Sequence, residues 1–233
     1  MKISYWSDYA CPYCYIGETR LRKAIESVGG DEPFEIEMRA FELDPGAPRK
    51  PIGSTLDRFA RKYCLTTEQA RERIESISQM GRDEGLEFNY MTTLNTNMLD
   101  AHRLTKLARD KGVEGLEELY YEAYFSKNEV LADRDVLRKY ALQVGLAEED
   151  IDRVLGSDEY KDEVRDDEYQ ARALGIRAVP FFVIDDSYAI AGCYPTEEME
   201  KVLAQALRDK RERAEEASVA QGMVCGPDGC GIG

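Results

Sequence analysis

The spacing of Cys11 and Cys14 constrains this chain more than any other feature of its sequence. Residues 2–7 before the pair are rich in β-forming types, and an amphipathic helical pattern follows it and ends near Gly29. Two cysteines separated by two residues can close a disulfide within the first turn of a helix. The sequence therefore predicts a strand, then a dithiol at a helix N-terminus, then the helix itself.

A helix N-terminus suits nucleophilic chemistry at Cys11. Unpaired amide N–H groups and the positive end of the helix dipole both favour the thiolate, which is the form that attacks disulfides. Pro12 suits the first helical turn because its missing N–H is not needed there. We expect an exposed Cys11 to be the attacking thiolate, Cys14 to resolve the mixed disulfide, and Tyr13 to shape the substrate surface.

The pair of cysteines has two other interpretations. A buried and inert pair is disfavoured because the neighbouring Asp8, Tyr9 and Tyr13 are not typical core residues. Half of a zinc site is the second interpretation, and Cys225 and Cys230 would have to complete it from the far end of the chain. We expect no metal at the dithiol.

The cysteines near the C-terminus, Cys225 and Cys230, form a second candidate pair. The four residues between them, 226–229, favour a turn and would allow a small disulfide to close. We expect a secondary redox pair that exchanges with the first dithiol through its tether. The alternative is a disordered tail whose thiols have no role.

Charge and composition exclude several classes of protein. The formal net charge of −15 disfavours nucleic acids and anionic membranes, so small molecules, peptides or proteins are the expected partners. The single histidine, His102, excludes sites that need several imidazoles, and we expect it to be packed on a helix. The N-terminus resembles no secretory signal, which predicts a cytoplasmic protein. In that compartment, cysteines are more often catalytic or redox-sensing than structural.

The hydrophobic pattern predicts three further strands. Residues 34–40 alternate between apolar and polar side chains, and residues 181–184 and 188–191 flank an Asp-Asp-Ser turn. Helical periodicity covers more than a hundred residues between them, including a capping box at Thr66 and Gln69. A long helix is expected over residues 158–174.

This order of elements predicts an α/β fold with an inserted all-helical domain. We expect a split domain of residues 1–44 and 166–216, with the insertion at 45–165 and a flexible tail at 217–233. Core positions are expected for four helical side chains and for one thiol after the predicted hairpin: Cys64, Tyr120, Tyr140, Tyr160 and Cys193. The last of these could instead be an accessible extra thiol.

Pro180 opens an otherwise apolar strand, where proline is restricted to an edge or a bulge. A trans bond at the start of a strand is the simple interpretation. With the dithiol upstream, we expect a cis Val179–Pro180 bond instead. The backbone N–H and C=O of Val179 would then face the dithiol, and an extended substrate could add beside them as a strand.

A family resemblance that extends over most of the chain is carried by short segments: residues 6–17, 41–45, 95–96 with 101–104, and 173–183. They resemble, in the same order, the DsbA-like FrnE subfamily of the thioredoxin superfamily. The resemblance implies a thioredoxin fold with a helical insertion, a redox-active pair at Cys11 and Cys14, and a cis-proline loop at Val179 and Pro180. Related 2-hydroxychromene-2-carboxylate isomerases and kappa-class glutathione transferases have a serine where Cys11 stands. Family members have a sequence that resembles Gly-Ala-Gln around position 193, so Cys193 is a departure from the family pattern.

The sequence thus predicts a thiol–disulfide oxidoreductase for protein or small-molecule disulfides. Oxidation, reduction and isomerisation all remain open, as do glutathione as a co-substrate and a role in oxidative stress. We expect no metal or organic cofactor and either a monomer or a homodimer. The alternatives are a glutathione-dependent isomerase or transferase, a thiol-based metal-binding stress protein, and a client-binding chaperone that uses the helical insertion.

Overall fold

The computed structural model describes residues 1–30 and 32–222, with side chains up to residue 217. In this part of the chain, four strands form one sheet in the order β2-β1-β3-β4. Their bounds are Lys2–Ser7 (β1), Glu35–Ala40 (β2), Phe181–Ile184 (β3) and Tyr188–Ala191 (β4). β1 runs parallel to β2 and antiparallel to β3, which pairs with β4 as a hairpin. The four strands lie where the hydrophobic pattern predicts them.

The helices fall into two groups. α1 (Pro12–Val28) and α9 (Thr196–Gly222) pack against each other, and α8 (Lys161–Ala173) packs against β2. The helices between β2 and α8 are here named the helical block; they are α2 (Thr55–Lys62), α3 (Thr67–Asp83), α4 (Leu99–Asp110), α5 (Leu116–Tyr121), α6 (Arg134–Gln143) and α7 (Glu148–Gly156). This is the α/β fold with inserted helices that the sequence predicts. No helix among the described residues is long and apolar enough to cross a membrane.

The helices differ from the prediction in four places. α2 and α7 are not predicted, because both are short and rich in charged residues. The helix expected from residue 158 begins at Lys161, since Tyr160 has a φ of 62° that no α-helix accommodates. α9 continues to Gly222, beyond residue 217, because the arginines and glutamates of its charged run are strong helix formers.

Aromatic side chains connect the helical block to the sheet domain. Tyr15 of α1 stacks on Tyr121 of α5, with ring centroids 5.0 Å apart and planes 7° apart. The same ring also stacks on Phe88 and Phe125 at 6.0 Å. Stacked aromatic pairs contribute beyond the area that they bury. The first turn of α1 is therefore held between the sheet and the helical block.

The expected core positions are only partly confirmed. Tyr120 and Tyr140 are buried, and Tyr160 is half-buried. The expectation for Cys64 is wrong: it is exposed, just after the end of α2, with a φ of 52°. Its backbone turns sharply there between α2 and α3, which directs the side chain to solvent.

Candidate active site

Cys11 and Cys14 lie at the N-terminus of α1, as predicted. Cys11 is the N-cap residue, with an extended backbone (φ −93°, ψ 114°), and Pro12 is the first helical residue. The turn after β1 closes where the Cys11 N–H donates to the Asp8 carbonyl at 3.0 Å. The Cys14 N–H in turn donates to the Cys11 carbonyl at 3.1 Å. Both side chains are free thiols one helical turn apart.

The expectation that Cys11 is exposed is wrong, because only 4% of the residue is accessible. Its sulfur lies 3.6 Å from the Val179 carbonyl, so the loop before β3 covers it. The neighbouring Asp8 and Tyr9, whose polarity suggested positions outside the core, are also buried. Access to Cys11 is therefore restricted to the cleft that it lines.

Cys14 lies behind Cys11 and is fully buried. Burial raises the pKa of the Cys14 thiol well above its usual range, and a hydrogen bond with Cys11 raises it further. The Ser7 hydroxyl and the Asp8 backbone act in the opposite direction. The buried Cys14 thiol therefore holds its proton to higher pH than a free thiol does.

A buried hydrogen-bond chain extends from the dithiol into the helical block. The hydroxyl oxygens of Ser7 and Tyr121 are 2.5 Å apart, and both residues are fully buried. Ser7 also bonds to the Cys14 thiol, which connects Tyr121 to Cys14 through one hydroxyl. The sequence did not indicate this link, because 114 positions separate Ser7 from Tyr121.

We expect Ser7→Ala to slow the attack of Cys14 on the mixed disulfide by roughly three- to tenfold. This factor corresponds to the loss of one hydrogen bond, which contributes about 0.5–1.5 kcal/mol. The Ser7 hydroxyl lowers the Cys14 pKa, so its removal raises that pKa and shifts the pH profile of this step to higher pH. Rapid-quench mass spectrometry of the mixed disulfide at several pH values measures the step. An unchanged pH profile would show that Ser7 does not act on Cys14.

Asp8 fixes the turn that precedes Cys11. Its carboxylate is 1% exposed and accepts hydrogen bonds from the Ala10 N–H at 3.1 Å and the Leu43 N–H at 2.6 Å. His102 of α4 is buried as expected, with Nε2 3.7 Å from the Asp8 carboxylate. The histidine therefore faces this carboxylate, and the Asp8 side chain joins the active-site turn to the segment after β2.

The Val179–Pro180 bond is cis, as predicted. The carbonyl of Pro180 accepts from the Gly192 N–H at 2.8 Å, which holds the loop against the end of the hairpin. α1 approaches this loop closely at Gly17, where a Cβ would lie 3.0 Å from Pro180 Cγ. The loop therefore places the Val179 backbone directly across from Cys11.

A cleft of about 810 Å³ opens in front of Cys11. Three of the predicted site residues besides Cys11 line this cleft and are therefore brought together: Pro12, Tyr13 and Val179. Cys14 lies behind the cleft wall, and Pro180 directly follows Val179 in the chain. Tyr13 is 39% exposed at the surface, as expected for a substrate contact. α2 and α3 supply the opposite wall with cationic, aromatic and apolar side chains: Arg58, Phe59, Lys62, Tyr63, Arg73, Ile77 and Met80. Sequence reasoning did not identify this wall.

The remaining cysteines differ in their surroundings. Cys193 is half-buried beside Arg20, whose Nη1 is 3.6 Å from the sulfur. Burial raises the pKa of the Cys193 thiol to about 11, which favours the interpretation as a small apolar side chain. Cys225 and Cys230 lie outside the described residues, so the secondary redox pair stays a prediction.

Comparison with known proteins gave consistent matches. A family model described as a DSBA-like thioredoxin domain matches residues 2–204. The uncharacterized protein YwbO of Bacillus subtilis (strain 168) is 27% identical over 218 residues, which are 89% of this chain and 98% of that protein.

Two solved structures extend these matches. The crystal structure of the probable DsbA oxidoreductase SCO1869 of Streptomyces coelicolor is 32% identical, with a TM-score of 0.83, and the match covers 100% of this chain and 99% of the other. The cytosolic disulfide reductase DsbM of Pseudomonas aeruginosa, solved with GSH, is 17% identical with a TM-score of 0.59. That match covers 89% of this chain and 100% of DsbM, and at this identity it shows a shared fold.

Proposed function

This chain belongs to the family of DSBA-like thioredoxin domains, and we propose that it is a thiol–disulfide oxidoreductase whose reacting groups are Cys11 and Cys14. The observation that carries the proposal is the position of Cys11. Its sulfur lies at a helix N-terminus, 3.6 Å from the Val179 carbonyl of a cis-proline loop, with the fully buried Cys14 behind it.

In the proposed reaction, the Cys11 thiolate attacks one sulfur of a disulfide substrate. A mixed disulfide forms, and the other substrate sulfur leaves as a thiolate that takes up a proton. Cys14 then loses its proton and attacks the Cys11 sulfur, which releases the second substrate thiol. The substrate gains two electrons and the chain is left with a Cys11–Cys14 disulfide; the reverse sequence oxidises a dithiol.

The loop before β3 is proposed to hold the substrate. The Val179 N–H forms no hydrogen bond with the part of the chain that the structure describes, and its carbonyl faces Cys11. An extended segment beside the loop could pair with both groups, as a strand added to a sheet edge does. The scissile disulfide would then lie next to Cys11.

The direction of the reaction depends on the redox environment. We propose a cytoplasmic protein whose dithiol is kept reduced by the thiol pool, so that reduction or isomerisation of protein and small-molecule disulfides is its resting activity. We propose glutathione as the co-substrate that reduces the Cys11–Cys14 disulfide after each turnover. Under oxidative stress, glutathione disulfide would instead oxidise the dithiol and be reduced to two glutathione molecules, and the resulting Cys11–Cys14 disulfide would oxidise client dithiols. The thiols supply all the redox chemistry that the proposal needs, without a metal or an organic cofactor.

The test is the reduction of insulin by dithiothreitol in metal-free buffer, with the wild type compared to Cys11→Ser. We expect the wild type to accelerate the reaction and Cys11→Ser to leave it at the uncatalysed rate, because serine supplies no thiolate. Cys64→Ser is the matched control, since it removes an exposed thiol outside the cleft. Equal rates with the wild type and without protein would contradict the proposal.

A further inference from the structure

The cleft in front of Cys11 is cationic although the chain as a whole is strongly acidic. Arg58 and Lys62 of α2, Arg73 of α3 and Arg177 of the loop before β3 line it, with Asp44 as the one carboxylate among its lining residues. The formal net charge of the chain is −15. Positive charge is therefore concentrated at the entrance to the dithiol.

These four cations differ from most other lysines and arginines in the described residues, which form ion pairs with carboxylates. Arg58, Lys62, Arg73 and Arg177 form no ion pair within residues 1–30 and 32–222. The Nε of Arg58 is also buried without a hydrogen-bond partner there. Buried donors in folded proteins are normally satisfied, so a ligand is the natural source of the missing acceptor.

Like charges that share a cleft repel one another, and their potential is focused by the walls of the cleft. An anion that enters relieves this repulsion and is attracted from solution. The cleft volume of about 810 Å³ lies in the range of small-molecule sites. Phe59, Tyr63 and Met80 add an apolar surface between the cations, which suits a short carbon chain with charged ends.

We infer that the cleft selects low-molecular-weight disulfides that carry carboxylates on both halves, and that Arg58, Lys62, Arg73 and Arg177 bind these carboxylates. The inference rests on the proposed function, because the reaction is the same exchange at Cys11 and Cys14. One substrate disulfide is reduced to two thiols, and the two electrons come from the dithiol, which becomes a disulfide.

The physical consequence is that the protein and a free thiolate should rank charged and neutral disulfides in different orders of reactivity. A free thiolate in solution reacts slowly with a dianionic disulfide, because attacker and substrate carry the same charge. Inside the cleft, four cations offset that repulsion and raise the local concentration of the anion. The protein should therefore prefer the disulfide that a simple dithiol reacts with least readily.

The experiment measures single-turnover oxidation of the reduced protein by three disulfides of similar size. They are 3,3′-dithiodipropionate (two negative charges), bis(2-hydroxyethyl) disulfide (neutral) and cystamine (two positive charges). Each second-order rate constant is divided by that for dithiothreitol with the same disulfide. We expect the normalised constant for the dianion to exceed that for the neutral disulfide at least about tenfold, and the difference to shrink as salt is added.

Matched charge reversals locate the effect. Arg73→Glu changes an exposed cation of the cleft, and Arg211→Glu changes an exposed cation of α9 that does not line it. We expect Arg73→Glu to lower the constant for the dianion several-fold more than the constant for the neutral disulfide, with a circular dichroism spectrum equal to that of the wild type as the check on folding. Arg211→Glu should change neither.

Each contrary outcome has a distinct meaning. Equal normalised constants for the three disulfides would overturn the inference while the proposed function stands. An equal effect of Arg73→Glu and Arg211→Glu would also overturn it, since net charge rather than the cleft would then control the rate. Failure of all three disulfides to oxidise the dithiol would overturn the proposed function itself.

Discussion

Cys14→Ser is expected to lower disulfide turnover by about a hundredfold or more while Cys11 still makes the first attack. The two thiols differ in position, since Cys11 lines the cleft whereas Cys14 is fully buried behind it, and the proposed roles follow from this difference. Without the Cys14 sulfur, the first turn of α1 holds no second thiol to displace the second half of the substrate. The protein should therefore stop at a mixed disulfide on Cys11.

Intact-mass spectrometry after one equivalent of disulfide measures this outcome directly. We expect Cys14→Ser to carry one substrate half, and the wild type and Cys64→Ser to carry none. In the wild type, the resolving step should accelerate as pH rises, because burial raises the Cys14 pKa and a larger fraction becomes thiolate at higher pH. Full turnover by Cys14→Ser would instead support the glutathione-dependent isomerase or transferase hypothesis.

Asp8→Ala is expected to destabilise the fold by about 3 kcal/mol, since hydrogen bonds to a charged group are worth roughly 1.5–3 kcal/mol each and their loss strands the donors. The carboxylate is 1% exposed and accepts from the Ala10 and Leu43 N–H groups. Alanine removes both acceptors, and the two N–H donors stay shielded from bulk water at this buried position. For a chain of this size, the loss corresponds to a fall in Tm of about 6–12 °C.

Thermal unfolding followed by circular dichroism measures the effect. Asp166→Ala is the matched control, because Asp166 is exposed on α8 and forms no ion pair with a described residue. We expect its Tm to stay within about 2 °C of the wild type, as is usual for surface substitutions. If the two variants unfold at the same temperature, the Asp8 carboxylate does not hold the active-site turn in the way proposed.

The elements that local pattern predicted well are those whose causes are local. Strict alternation and an Asp-Asp-Ser turn placed the strands, and the capping box of Thr66 and Gln69 is present with both of its hydrogen bonds. Cys11 and Cys14 were identified because the spacing of two thiols at a helix start carries chemical meaning by itself. The cis bond at Pro180 followed from the dithiol upstream.

Burial and pairing were decided by the tertiary structure. The exposures of Cys11 and Cys64 were predicted wrongly, because the loop at Val179 covers one thiol and the turn after α2 exposes the other. Neither contact is visible in the residues that flank these cysteines. Exposure depends on which distant segment folds over a side chain, and a local pattern contains no such information.

The chemistry around the dithiol shows the same division. The sequence by itself determined that two thiols stand at the start of a helix, and it predicted them as the reacting groups, since sulfur nucleophilicity and the helix N-terminus depend on neighbours within a few residues. Only the tertiary structure brought Tyr121 to Ser7 and the cations of α2 and α3 to the same cleft as Arg177. Electrostatic and hydrogen-bond interactions act through space over a few ångströms, so the partners of a reacting group are set by the fold and not by their order along the chain.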